Sequence, residues 1–191
     1  MNTKTKKLTL MSLMASIIIL MTFVPYTGYI SYGFISITTI HIPVIIGSMI
    51  LGKKEGLILG LVWGISNLIK AYTSMTPEAL IFLDPRISVL PRALVGFLAG
   101  LSGDLFIDKI YKNPKITSVF AVCLTIIHTA LVITAIALWG QDNMFNFGEN
   151  ILSIFKIVIS VNGIVEIALA AIITPVIITA LAKSGALRKA R

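Results

Sequence analysis

The sequence predicts an all-α integral membrane protein: six transmembrane helices in one domain covering 1–191, with the N-terminus and the C-terminus both cytoplasmic. Three observations carry that prediction. Of the 191 residues, 57% are hydrophobic and 13% charged, where a soluble domain carries about a quarter charged residues. That balance excludes an ordinary cytosolic enzyme and a disordered chain. The apolar residues are gathered into runs near the length that a bilayer core demands, about 20 residues. The 16 Lys and Arg, against 8 Asp and Glu, stand mostly between those runs, where orientation in the membrane accounts for them.

The first run, 8–24, follows Lys4, Lys6 and Lys7 and ends at Pro25. Bulky Phe23-Val24-Pro25-Tyr26 offers no small-residue cleavage site, so the segment reads as a retained helix and not a signal peptide. A charge-free loop, 25–39, holds Tyr26, Tyr29, Tyr32 and Phe34. The second run, 38–51, and the third, 56–70, are short, at about 20 Å each by helical rise. Asp84 as N-cap with Pro85 at the first helical position opens the fourth, 84–106. The fifth covers 116–138 and the sixth 150–181. Pro43, Pro91 and Pro175 fall within these runs and are expected to kink them.

With the N-terminus inside, twelve basic residues fall on inside segments: Lys4, Lys6, Lys7, Lys53, Lys54, Lys109, Lys112, Lys115, Lys183, Arg188, Lys189 and Arg191. Four remain outside or within helices, namely Lys70, Arg86, Arg92 and Lys156. The positive-inside rule then puts both termini in the cytoplasm. Glycine rows at 56, 60 and 64 and at 96 and 100 let helix backbones approach closely, and are read as packing within the chain and not as a dimer face.

Several chemistries are set aside. Cys123 is the lone cysteine, so neither a disulfide framework nor a Cys-based metal site is expected. The net charge of +8 needs no nucleic-acid partner once topology explains it. Gly47-Ser-Met-Ile-Leu-Gly52-Lys53 approaches a phosphate-binding loop, but Lys54 stands where Ser or Thr should hold the metal, and the preceding element is an intramembrane helix. H-E-x-x-H, G-x-S-x-G and paired-carboxylate patterns do not occur. No catalytic residue, metal or cofactor is expected, and the chain is read as a non-enzyme without its own ATPase motif.

The informative residues are polar groups at membrane depth, which are costly there and therefore functional candidates. From the topology, His41 and Asn67 lie about 5 Å below the outer surface, Arg92 and Asn162 about 10 Å, and His128 and Glu166 about 15 Å. Asn162 and Glu166 are four apart and share a helix face. Taken singly, each could be an interhelical hydrogen bond, and Arg92 with Glu166 a buried pair. Together, under an aromatic uncharged loop, they predict a lidded pocket open to the outside for a small polar ligand. Arg92 is the expected carboxylate partner, since a guanidinium offers a bidentate fork. Asn67, His128 and Asn162 would hydrogen-bond hydroxyl or amide groups, and Tyr29 or Tyr32 would close the lid. Glu166 is expected to orient Arg92 or His128.

These residues bring a family into view. Ile37-Thr38-Thr39-Ile40-His41-Ile42-Pro43-Val44-Ile45-Ile46-Gly47, then Leu51-Gly52-Lys53-Lys54-Glu55-Gly56 and Leu59-Gly60-Leu61-Val62-Trp63-Gly64, resemble the S components of energy-coupling factor (ECF) vitamin transporters. So do Val89-Leu90-Pro91-Arg92-Ala93-Leu94-Val95-Gly96 and Asn162-Gly163-Ile164-Val165-Glu166. The similarity is greatest to the pantothenate type, which usually shows Asn-Thr where this chain has His128-Thr129. The resemblance implies capture of a small vitamin, pantothenate first, at the outside of a bacterial plasma membrane. Other vitamins or precursors (folate, hydroxymethylpyrimidine, niacin) are the alternatives, and a small membrane enzyme using His128 and Glu166 is a further one. It also implies a transmembrane coupling subunit and two cytosolic ATPases as partners within the lipid bilayer. The full expected ligand set is Tyr29, Tyr32, Thr39, His41, Asn67, Arg92, His128, Asn162 and Glu166. Ser12, Ala15 and Ser16 stand where such proteins carry a small-residue strip for docking the coupling subunit.

Overall fold

The computed structural model describes residues 3–32, 35–74, 77–140 and 149–184, of which 3, 31–32, 35–36, 77–78 and 149–161 are described by backbone alone. Its elements in order are α1 (Thr3–Phe23), β1 (Tyr29–Tyr32), β2 (Ile35–Thr38), α2 (His41–Leu51), α3 (Lys53–Ser74), α4 (Pro77–Ile81), α5 (Pro85–Ser88), α6 (Leu90–Lys112), α7 (Pro114–Trp139) and α8 (Glu149–Lys183). Among the described residues, five helical segments are long and apolar enough to cross a membrane: Lys4–Phe23, Lys53–Ser74, Pro85–Lys112, Pro114–Trp139 and Asn162–Lys183.

The element expected as the second span is different in kind. α2 has 11 residues, all buried except Pro43, and at 1.5 Å per residue it is about 16 Å long. It is half a span enclosed by the other helices. A short helix can end at membrane depth only where protein, not lipid, surrounds its unpaired backbone groups. The chain before it is also more ordered than the expected loop. Tyr29 to Thr38 forms an antiparallel hairpin in which Tyr29 pairs with Thr38 and Ile30 with Ile37. The all-α class holds for the architecture, with this one small β element beside the helices among the described residues.

Three further boundaries move. α3 runs four residues past Lys70, to Ser74. Asp84 caps as expected, accepting from the Arg86 amide at 2.7 Å, but α5 stops after Ser88, and α6 begins at Leu90. Pro43 stands in the first turn of α2, where a missing N–H costs nothing, so it does not kink that helix. Pro91 instead follows the break between α5 and α6, and its missing N–H leaves the Ile87 carbonyl four residues back without a helical donor. Pro175 alone of the three lies in a helix interior. The break inside α6 is at Phe106, with φ −130° and ψ 17°.

The glycine rows explain how α3 and α6 come together. A Cβ at Gly56 would strike the carbonyl oxygen of Gly96, one at Gly96 that of Gly56, and one at Gly60 that of Arg92. The rows therefore face each other within one chain, as the spacing implied, and hold the backbones at contact distance. Backbone cannot yield as a side chain can, so Gly96→Ala should destabilise the protein by about 1–3 kcal/mol. Gly163→Ala meets only a methyl of Thr129 at 3.9 Å and serves as control. Thermal unfolding of both variants in detergent checks this; equal melting temperatures would refute the packing argument.

The sequence that approached a phosphate loop has another use. Gly52 turns the chain between α2 and α3 with φ 105°, a region that suits glycine. The first amide of α3, Lys53 N–H, donates to Asp104 Oδ2 at 3.1 Å. The chain's own carboxylate takes the place at which a phosphate would have to sit.

Candidate functional site

The core of the bundle surrounds α2, and the polar groups singled out from the sequence meet at its N-terminal end. Arg92 belongs to the first turn of α6, 4% exposed. Its Nη1 donates to the carbonyl of Ile87, 2.9 Å away at the end of α5. The break between α5 and α6 makes this possible, because it leaves an α5 carbonyl free of a continuing helix. The guanidinium lies between two aromatic rings, its Cζ 5.3 Å from the centroid of Trp63 and 5.0 Å from that of Phe82. Its Nε has no partner among the described residues.

The ring of His128 of α7 is tilted against Trp63, with centroids 4.8 Å apart, and stacks nearly parallel to His41 at 6.3 Å. Both ring nitrogens of His128 are unpartnered among the described residues. Asn162 and Glu166 stand one turn apart on α8 and are buried. Glu166 was expected to orient Arg92 or His128. Instead its Oε1 accepts from the backbone N–H of Thr38 at 2.7 Å, and among the described residues the one close ion pair is Lys7–Glu55, at 2.7 Å. The buried Arg92–Glu166 salt bridge considered from the sequence is absent from that set.

Among the described side chains the hairpin is fastened to the helices at the rung of Tyr29 and Thr38. Thr38 is held by Glu166, and its cross-strand partner Tyr29 donates its hydroxyl to Asn67 Oδ1 at 2.7 Å. Trp63 Nε1 donates to the same hydroxyl at 3.4 Å, and the Lys70 ammonium sits 4.1 Å from the Tyr29 ring centroid. Desolvation raises the Tyr29 pKa above its ordinary value, so the phenol remains a hydrogen-bond donor at neutral pH. Asn67 Nδ2 in turn donates to Ser88 Oγ at 3.1 Å.

Seven of the expected ligand residues are thus placed at or beside this cluster: Tyr29, His41, Asn67, Arg92, His128, Asn162 and Glu166. Thr39 is not; its hydroxyl donates to the Thr27 carbonyl at 2.8 Å and closes the base of the hairpin. The side chain of Tyr32 lies outside the described residues. Sequence reasoning passed over Trp63, Phe82, Ser88, Thr38 and Lys70. Trp63 carried a usable signal, being an indole N–H donor amid glycines at Gly60 and Gly64 in an otherwise apolar run. The polar residues of the cluster are buried, and an open cleft of about 470 Å³ is lined by Leu83, Asp84, Pro85 and Arg86.

On α1, Ser12 and Ser16 are exposed and Ala15 is half-buried, packing against the core. Ser16 Oγ donates to the Ser12 carbonyl at 2.9 Å, which folds the hydroxyl onto its own helix.

Comparison with known proteins matches residues 6–178 to the family model described as ECF transporter, substrate-specific component. The chain is 31% identical over 161 residues to "Pantothenic acid transporter PanT" of Lactococcus lactis subsp. cremoris (strain MG1363), covering 77% of this chain and 78% of that one. It is 33% identical over 106 residues to "Pantothenate transporter PanT" of Leuconostoc mesenteroides subsp. mesenteroides, covering 53% of this chain and 52% of the relative.

Proposed function

We propose that this chain, which belongs to the substrate-specific components of ECF transporters, captures pantothenate at the outer face of a bacterial plasma membrane. As a family member it is a multi-pass membrane protein and a transporter component, with apolar helices to match. The observation that carries the ligand reading is a buried guanidinium with an unpartnered Nε, walled by Trp63 and Phe82, in a chain whose relatives are named for pantothenate. A buried cation without a carboxylate partner is costly, and an incoming carboxylate would relieve that cost through a bidentate contact. The two free nitrogens of His128 and the amide of Asn162 suit the hydroxyl and amide groups of such a molecule.

In this reading the hairpin releases its rung at Tyr29 and Thr38 to admit the ligand, since both residues are bonded to groups of the cluster. Mass spectrometry of the small molecule retained by the purified chain, followed by calorimetric titration with pantothenate, tests the reading. Retention of another vitamin, or no heat with pantothenate, would overturn it.

In this reading six segments cross or enter the bilayer, α2 completing the set with the hairpin, and both termini are cytoplasmic. A transmembrane coupling subunit and two cytosolic ATPases complete the importer. With Cys123 replaced, Ser31→Cys should react with an impermeant maleimide from outside intact cells and Ser184→Cys only after lysis. Outside labelling at 184 would reverse the topology.

A further inference from the structure

Five groups form one hydrogen-bonded chain with every donor pointing the same way. Trp63 Nε1–H donates to Tyr29, Tyr29 O–H to Asn67, Asn67 Nδ2–H to Ser88, and Ser88 O–H to the carbonyl of Phe82. The two ends of this chain belong to the two residues whose rings flank Arg92: the Trp63 indole itself, and the backbone carbonyl of Phe82. The links come from four places in the sequence: the hairpin, α3, α5 and the segment between α4 and α5. Aligned chains of this kind polarise each other and behave as a unit.

We infer that Asn67 is a positioning residue, the relay through which the hairpin and the α4–α5 segment release together and by which the aromatic walls of Arg92 are held in register. Both ends of its amide are engaged, Oδ1 toward the hairpin and Nδ2 toward α5. That differs from the ligand contact expected of it from the sequence. Ser88 has no exposed surface and Asn67 is 7% exposed, so water is not at hand to replace a broken link, and loss of one bond is felt at the next. Loosening Tyr29 should therefore loosen residues 77–88, to which Asn67 is its hydrogen-bonded link. Only the meaning of Arg92 as a ligand partner rests on the proposed function; the relay is tested without ligand.

The experiment is hydrogen–deuterium exchange on the full ligand-free chain in nanodiscs. Amides such as Phe82, Ile87 and Ser88 are hydrogen-bonded and report opening of the segment. Tyr29→Phe should speed exchange across 77–88 about fivefold, the equivalent of one lost hydrogen bond of about 1 kcal/mol. Ser88→Ala should speed exchange in the hairpin, 29–38, by a similar factor. The double variant should add little to either, because both break one chain. Unchanged exchange at 77–88 in Tyr29→Phe would overturn the relay, and so would effects that simply add. A rise that includes α7 equally would mean general loosening and would overturn it too. If the relay holds while no pantothenate binds, the ligand reading fails alone.

Discussion

Arg92→Gln should weaken pantothenate binding by at least about 30-fold, the lower end of what truncating one partner of a buried charge pair costs. Three features set the size of the effect. The guanidinium is 4% exposed, so any contact it makes with a carboxylate is free of competing water and little screened. Its Nη1 is engaged with Ile87 and its Nε is not, so donor capacity is left for a ligand. Gln keeps a polar amide but brings no charge and no fork. Lys112→Gln, at the exposed far end of the same helix, should leave binding unchanged. Titration of both variants, with circular dichroism to establish that each is folded, decides it. Wild-type affinity in folded Arg92→Gln would remove Arg92 from the site.

That residue could be singled out from the sequence because intramembrane charge is expensive and rarely idle. The same cost marked His41, Asn67, His128, Asn162 and Glu166, and all lie in or around one buried cluster. What cost alone could not say is who meets whom. Arg92 and Glu166 looked like a pair because their charges are opposite; instead each is held by backbone, of Ile87 and of Thr38. Those partners depend on a break after Ser88, which Pro91 marked only as a kink, and on a hairpin, which has no strong sequence signature. Tyr29-Ile-Ser-Tyr and Ile35-Ser-Ile-Thr alternate over only four residues each, too few to separate a strand from an aromatic loop. Lys70 was read as the end of a helix, since lysine is costly in lipid. Its ammonium rests over the Tyr29 ring, and the helix continues. Trp63 and Phe82 were lost among apolar neighbours, where an aromatic wall reads like core. The glycine rows were legible because close packing tolerates little else at positions such as Gly56 and Gly96.

Ser12→Leu/Ser16→Leu should abolish uptake in cells that supply the coupling subunit and ATPases, while binding by the isolated chain stays within about twofold of wild type, as exposed substitutions usually do. Both serines are exposed on α1, a helix only 11% buried within the chain. Were the strip used to pack α1 against its own bundle, these positions would be covered; Ala15 alone is half-covered, and the serines face outward. In lipid, helices associate through close backbone approach, which small residues allow and leucine prevents. Ser16 spends its hydroxyl on the Ser12 carbonyl, so the face it offers is small and already satisfied, suited to a second helix. Ser12 lies about 16 Å along α1 from Phe23 by helical rise, and neither serine bonds to any group around Arg92, so the ligand cluster has no means of sensing the change. Uptake assays with radiolabelled pantothenate, beside titration of the purified double variant, separate the two roles. Loss of binding together with uptake would assign the strip to internal packing, and normal uptake would end the docking idea.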